Sequence, residues 1–135
     1  MSRVFFINGQ SERVAEIFSE EAPREGFELN WLPRRVSDEE KLPLMREADF
    51  LVLHPAQISE DLLRAAKTLR LIQLLTAGYD KIDLGLTAEL GIPVATNGGA
   101  NAWSVAEHTV ALLLALYKRL IQCDRAMREG RWREP

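Results

Sequence analysis

The sequence predicts an α/β fold, in which a flavodoxin-like five-stranded parallel sheet has flanking helices and is followed by one long helix. Short apolar runs recur up to residue 95, and such runs are typical of strands buried on both faces of a parallel sheet. Amphipathic stretches separate the runs in strict alternation, which favours right-handed crossovers. The 135 residues, 47% of them hydrophobic, are enough for one core of ordinary size.

Five apolar runs are predicted as strands. The first is continuous and is broken by Asn8-Gly9, whereas the second alternates between apolar and polar residues, as in a half-buried or edge strand. The third is stopped by His54-Pro55. In chain order the predicted strands are 4–7, 27–32, 49–53, 71–75 and 92–95. Five strands in a doubly wound sheet favour flavodoxin-like order.

Four crossover helices are predicted over 11–21, 37–48, 59–66 and 83–90. Each begins at a residue whose side-chain oxygen can cap a helix: Ser11, Ser37, Ser59 and Asp83. Glu40, three residues after Ser37, completes a capping-box pattern. Gly91 is placed to end the fourth helix.

The last predicted helix, over 104–129, is apolar on nearly its whole circumference. Ser104 and Glu107 form a capping-box pattern at its start. A helix that is apolar all round has to be buried on more than one side, and a five-stranded unit covers one side at most. We therefore expect another domain, another subunit or both to cover the rest. The predicted division is a domain over 1–98 and a linker with the long helix over 99–135.

Composition argues against several classes of protein. The net charge is −3 and the 17 basic residues are scattered, so neither nucleic acid nor a membrane is expected as a partner. The adjacent pair Arg34-Arg35 is interpreted as part of a solvated face. Cys123 is the only cysteine, which excludes an intrachain disulfide and a cysteine-cluster metal site. The longest apolar run, 110–117, is far shorter than the ~20 residues of a membrane span, and we expect a cytoplasmic protein.

Three loops that follow predicted strands are candidate site segments, at 8–10, 54–57 and 76–80, because ligands of doubly wound sheets bind beyond the carboxyl ends of the strands. Gly78 allows a turn whose N–H groups converge on an anion such as a carboxylate; alternatively, it only turns the chain. His54 is either a general acid or a pocket wall. Asp83 is interpreted as a helix cap, and Asp80 as a residue that stabilises its loop.

Two absent patterns restrict the chemistry further. Neither G-x-G-x-x-G nor G-x-x-x-x-G-K-[ST] occurs in the sequence, so it has no dinucleotide fingerprint and no phosphate loop. A response-regulator receiver needs acidic residues after its first strand and an Asp at the end of its third. Asn8 and His54 stand at those places, so that class is rejected.

The segment 71–132 resembles the D-isomer-specific 2-hydroxyacid dehydrogenase family. The matching elements are the A-G-Y-D-x-I-D loop from Ala77, the G-I-P-V strand from Gly91, and N-x-x-x-V-A-E-H at 101–108. Arg131 and Trp132 also resemble the family. The resemblance implies an enzyme that interconverts a 2-oxo acid and a D-2-hydroxy acid with NAD or NADP. Its cleft would lie between a substrate domain and a Rossmann nucleotide domain, and the long helix would form the homodimer contact.

The resemblance also assigns site residues by motif position. The backbone N–H groups of Ala77 and Gly78 would hold the substrate carboxylate. His54 and Pro55 would line the pocket mouth, and Thr109 would lie near the phosphates or the nicotinamide of the cofactor. The family's catalytic Arg, His and Glu or Asp would follow residue 135, so no catalytic residue is assigned in this chain. We therefore expect this chain alone to be inactive.

Two rival readings stay open. A stand-alone flavodoxin-like module that dimerises or senses a ligand without chemistry would have the same strands and helix. A reading frame that continues past Pro135 into a G-x-G-x-x-G motif would favour the dehydrogenase. The other rival is a dehydrogenase that acts on an oxyanion such as phosphite or formate.

Overall fold

The computed structural model describes residues 1–9 and 12–131. Its strands are β1 (Ser2–Asn8), β2 (Phe27–Pro33), β3 (Phe50–His54), β4 (Leu71–Leu74) and β5 (Val94–Ala95). Its helices are α1 (Glu12–Glu21), α2 (Asp38–Glu47), α3 (Glu60–Ala65), α4 (Leu84–Glu89), α5 (Ala102–Tyr117) and α6 (Leu120–Arg128). The chain divides into two compact units, Met1–Gly98 and Gly99–Pro135.

The five strands form one parallel sheet in the order β2-β1-β3-β4-β5. This is the flavodoxin-like order of a doubly wound sheet, so the predicted fold class is confirmed. The register places Asn8 opposite both Pro33 and His54. The carboxyl ends of β1, β2 and β3 therefore meet at one edge of the sheet.

Alternation along the strands divides the core between the two faces of the sheet. Phe5, Ile7 and Leu53 belong to the larger cluster, which also contains Met45 of α2, Leu62 and Leu63 of α3, and Leu86 of α4. Phe6 and Val52 point the other way and pack with α1. The rings of Phe6 and Phe18 lie 4.9 Å apart between centroids. Burying such side chains contributes roughly 1.5–3 kcal/mol each.

The predicted N-terminal caps of α2, α3 and α4 are confirmed. Ser37 and Glu40 form the full capping box of α2. Ser59 accepts from the Leu62 N–H at 3.4 Å, and Asp83 accepts from the Leu86 N–H at 2.9 Å. Two further predictions, the cap at Ser11 and the family match at Trp132, fall on residues outside the described ranges.

The second unit corrects the prediction of one helix over 104–129. The helix begins earlier, with Asn101 as an N-cap that makes no side-chain hydrogen bond, so Ser104 lies inside α5 and does not cap it. The helix is then interrupted at Arg119, which has a left-handed φ of 50°. No glycine or proline marks this break, and the sequence therefore has no local signal for it.

Large apolar side chains on α5 and α6 are exposed rather than buried. Neither helix contains a buried residue. The exposed fractions of Leu113, Leu116 and Ile121 are 64%, 80% and 79%. Within the described ranges, no helix is both long and apolar enough to cross a membrane.

Candidate functional site

The carboxyl edge of the sheet brings the three candidate loops together. The Gly9 N–H, just after β1, donates to the His54 carbonyl at the end of β3. The Leu75 N–H donates to the Leu53 carbonyl at 2.9 Å. The loop after β4 is tied to the end of β5, because the Asn97 N–H donates to the Thr76 carbonyl at 3.0 Å. Backbone hydrogen bonds therefore position all three loops.

Gly9 is required by a close approach between two loops. A Cβ at this position would overlap the backbone carbonyl oxygens of His54 and Pro55. No rotamer of a larger side chain relieves this overlap, because the obstacle is backbone. The sequence alone predicts only that Gly9 helps to end the first strand.

A cleft of about 140 Å³ opens between the loops that follow β3 and β4. Leu53, Ala56, Leu74 and Ile82 supply its apolar surface, and all four belong to the larger core cluster. Its full lining is Leu53, Pro55, Ala56, Leu74, Thr76, Gly78, Tyr79, Asp80, Lys81 and Ile82. An apolar wall with a few polar groups at one side is the usual composition of a small-molecule site.

The loop at 76–80 presents unused hydrogen-bond donors beside this cleft. The Thr76 hydroxyl donates to the Gly78 carbonyl at 2.9 Å and holds the turn. Within the part of the chain that the structure describes, the N–H groups of Ala77 and Gly78 have no acceptor. Gly78 lines the cleft, whereas Ala77 does not. Two free amides on one turn are suited to an anion.

The carboxylate of Asp80 lies close to Gly78. Its Oδ1 lies 3.0 Å from the position that a Cβ on Gly78 would take. The prediction that Asp80 stabilises its loop is not supported, since its carboxylate accepts no hydrogen bond from any described residue. The acid that does accept one is Asp83, the cap of α4. An anion at Gly78 would therefore lie near an exposed negative charge.

His54 lies at the end of β3 with its ring half-buried. Burial lowers the pKa of the His54 imidazole below its ordinary value of 6.5, so the neutral form dominates at neutral pH. Its Nδ1 is buried and has no partner among the described residues. Pro55 lines the cleft and His54 does not. No described carboxylate bonds to the ring, and the arrangement does not form an acid–base pair.

Thr109 belongs to the second unit. Its hydroxyl donates to the Val105 carbonyl one turn earlier, at 2.8 Å, and the side chain is exposed. Over residues 1–9 and 12–131, no cluster of His, Cys, Asp and Glu could hold a metal ion.

Sequence reasoning missed a second, basic cavity at the same edge. It measures about 340 Å³ and is lined by Arg34, Arg35, Pro55, Gln57 and Lys81. The adjacent pair Arg34-Arg35 is exposed, as predicted for a solvated face, and it also lines this cavity. The available signal was its position directly after β2, at the edge where ligands of doubly wound sheets bind.

Comparisons with known proteins agree on one family. The model of the "D-isomer specific 2-hydroxyacid dehydrogenase, catalytic domain" matches residues 4–128. A D-3-phosphoglycerate dehydrogenase of Archaeoglobus fulgidus is 33% identical over 124 residues, which cover 88% of this chain and 23% of that protein. A glyoxylate reductase of Thermofilum pendens is 35% identical over 107 residues, with coverages of 78% and 31%.

A solved structure agrees on the fold. D-lactate dehydrogenase with NAD+ from Lactobacillus jensenii has a TM-score of 0.73 at 18% identity, covering 98% of this chain and 41% of that chain. At this identity the likeness shows the fold alone. The chain spans about a quarter to a third of the length of the curated relatives it matches.

Proposed function

The chain belongs to the D-isomer-specific 2-hydroxyacid dehydrogenase family, and on this basis we propose that it forms the substrate-binding part of such an enzyme. The complete enzyme would interconvert a small 2-oxo acid and a D-2-hydroxy acid with NAD or NADP. The observation that carries the proposal is the pair of adjacent amides without acceptors among the described residues, Ala77 and Gly78, of which Gly78 lines the cleft.

The substrate carboxylate binds to the N–H groups of Ala77 and Gly78. A hydrogen bond from a backbone N–H group to an ionised carboxylate is stronger than a hydrogen bond between two neutral groups. The apolar surface from Leu53 and Leu74 then meets the carbon chain of the acid. Pro55 forms the adjacent wall, whereas the neutral ring of His54 does not line the cleft. The arrangement recognises a carboxylic acid, and it does not by itself choose among 2-oxo acids.

The described residues do not form a dinucleotide site. The chain has no G-x-G-x-x-G motif, and the Gly9 N–H after β1 is already taken by the His54 carbonyl. We therefore assign the cofactor mainly to a nucleotide-binding domain that these 135 residues do not include, with Thr109 as a contact from α5. A bound nicotinamide would supply the hydride. No hydride-transfer step is assigned to residues of this chain.

The two compact units have different roles in this proposal. Residues 1–98 form the substrate-binding domain, and 99–135 provide a linker and the helices that lead to the nucleotide domain. The exposed apolar residues of α5 and α6 pair with a second copy of the chain. Each Leu that this contact buries contributes roughly 1.5–3 kcal/mol, which favours a homodimer over an exposed apolar patch.

This segment by itself is inactive. Hydride transfer to a 2-oxo acid needs a cation that polarises the carbonyl and a paired group that delivers a proton. Among the described residues that line the cleft, Lys81 is the cation and no histidine is present, so the cleft lacks the paired groups of this reaction. The test adds NADH with glyoxylate, pyruvate or hydroxypyruvate to the purified chain and follows NADH absorbance. Steady oxidation above background would contradict the inactivity.

A titration tests the carboxylate site directly. Glyoxylate is added to isotope-labelled chain, and the backbone amide signals of Ala77 and Gly78 are followed by NMR. We expect saturable shifts at these two amides and none at α1.

Two variants of Gly78 separate the N–H from side-chain bulk. Gly78 does not have a positive φ, so its backbone accepts other residues. Gly78→Ala keeps the N–H and moves only the flexible Asp80 carboxylate, whereas Gly78→Pro deletes the N–H. We expect Ala to retain binding and Pro to lose it while the circular dichroism spectrum is unchanged. Equal binding by both variants would refute the assignment.

A further inference from the structure

The basic cavity at the carboxyl end of β2 adjoins the substrate cleft. Pro55 and Lys81 line both, so the two spaces adjoin at one edge of the sheet. The cavity is the larger of the two, at about 340 Å³ against about 140 Å³. A ligand held at Gly78 that reached past Pro55 would enter this cavity.

Among the described residues, the lining of the cavity contains three cations and no acid. Arg34, Arg35 and Lys81 are its charged residues, and Gln57 adds a neutral amide. Asp80 lines the cleft but not the cavity. This concentration of positive charge occurs in a chain whose net charge is −3, so it is a local feature and not an average property of the surface.

These cations also lack internal partners. Among the described residues, the side chains of Arg34, Arg35 and Lys81 make no ion pair and no hydrogen bond. Several arginines elsewhere are paired, among them Arg3 with Glu28 and Glu47, and Arg64 with Glu60 and Glu89. The three side chains of the cavity keep their donors available.

The start of the arginine pair is held in place by the sheet. The Arg34 N–H donates to the Asn8 carbonyl at 2.8 Å, which fixes the chain as it leaves β2. The guanidinium groups are exposed, yet they depart from a fixed backbone position beside the site. Arginine presents a planar set of donors that matches carboxylate and phosphate oxygens two at a time.

We propose that this cavity binds a second oxyanion, a phosphate or a carboxylate, at the far end of the acid whose first carboxylate lies on Gly78. The inference rests on the proposed function and deepens it by naming the substrate class, an acid with anionic groups at both ends. Arg34 and Arg35 bind the distal group, and Lys81 lies between the two anionic positions. Such a substrate spans both spaces, whereas a short acid with one carboxylate fills only the cleft.

The experiment compares acids that differ only at the far end. D-glycerate, 3-phospho-D-glycerate and D-malate are each titrated into the labelled chain by NMR, with inorganic phosphate as a separate probe. We expect the phosphate-bearing acid, D-malate or both to bind about tenfold more tightly than D-glycerate, since one bidentate charged contact amounts to about that factor. The acid that binds more tightly than D-glycerate identifies the distal group as phosphate or carboxylate.

A pair of double variants identifies the residues. Arg34→Gln with Arg35→Gln should abolish the preference and leave the affinity for D-glycerate unchanged. Arg46→Gln with Lys67→Gln removes two exposed cations that have no ion pair in the described part of the chain, and should leave the preference intact. This control separates a local contact from the effect of net charge on anion binding.

Each of the other outcomes contradicts either this inference or the proposed function. If D-glycerate shifts Gly78 but neither dianionic acid binds more tightly, or if the preference survives Arg34→Gln with Arg35→Gln, the inference is wrong and the proposed function stands. If inorganic phosphate shifts Arg34 and Arg35 while the acids show no preference, the cavity is a general anion patch and the inference is likewise wrong. If no acid shifts Ala77 or Gly78, the proposed function itself fails.

Discussion

Replacing Asp80 by Asn should strengthen the binding of a carboxylate at Gly78. The Asp80 Oδ1 lies 3.0 Å from the position of a Cβ on Gly78, and no described residue pairs with its charge. A carboxylate on the Gly78 N–H is therefore repelled by a like charge at close range. Asn has nearly the same shape and no charge, so the substitution removes the repulsion and little else.

The expected change in Kd follows from the distance between the two carboxylates and from the exposure of Asp80. A carboxylate on the amide would lie roughly 5 Å from Asp80, and with the dielectric constant of water two unit charges at that distance repel by about 0.8 kcal/mol. That energy corresponds to a Kd about fourfold lower. The high dielectric constant applies because Asp80 is exposed. Salt screens the repulsion, so the gain should shrink in about 1 M NaCl.

The assay is the glyoxylate titration followed at the Gly78 amide, for the original chain and for Asp80→Asn. Glu20→Gln is the matched control, because Glu20 is an exposed acid in the last turn of α1 that has no ion pair among the described residues. It should change the Kd by much less than Asp80→Asn. Weaker binding by Asp80→Asn, or an equal gain from Glu20→Gln, would refute the electrostatic reasoning.

Three further outcomes are expected. Gly9→Ala should cost roughly 1–3 kcal/mol of unfolding free energy because its Cβ meets backbone oxygens, while Gly98→Ala, which has room for a Cβ, should cost less than about 0.5 kcal/mol; urea unfolding measures both, and equal losses would contradict the packing argument. Burial lowers the pKa of His54, so the unfolded imidazole binds a proton as the pH falls through 6.5 and the folded one does so only at lower pH. Stability is thus lost as the pH falls below 6.5, and His54→Gln should flatten that part of the urea-unfolding profile; an unchanged slope would argue against the neutral ring. Leu113→Gln with Leu116→Gln should shift the chain from dimer to monomer in light scattering, and a monomeric parent chain would disprove the proposed pairing.

Local patterns account for the parts of the fold that were predicted correctly. The caps at Ser37, Ser59 and Asp83 bond to an N–H three residues later, so each depends only on its own segment. The strand runs and their alternation with helices are equally local, and handedness rules then leave few possible sheets. The family motifs from Ala77 to His108 are continuous in sequence as well, and residues 4–128 do match the family.

The failures occurred where distant segments meet or where no local signal exists. Arg34, Arg35, Gln57 and Lys81 line one cavity only because the register brings their loops to one edge. The break at Arg119 has no glycine or proline to mark it.

The sequence alone determined the order of strands and helices, the caps, the two-sided burial of the strands and the family, because each follows from neighbours within one segment. Tertiary structure alone decided that Gly9 has no room for a side chain, that Asp80 lies close to Gly78 without an ion pair among the described residues, and that a basic cavity adjoins the cleft lined by Gly78. Those features depend on distances between separate segments, which are set by strand register and loop closure and are not encoded in any one stretch of the chain.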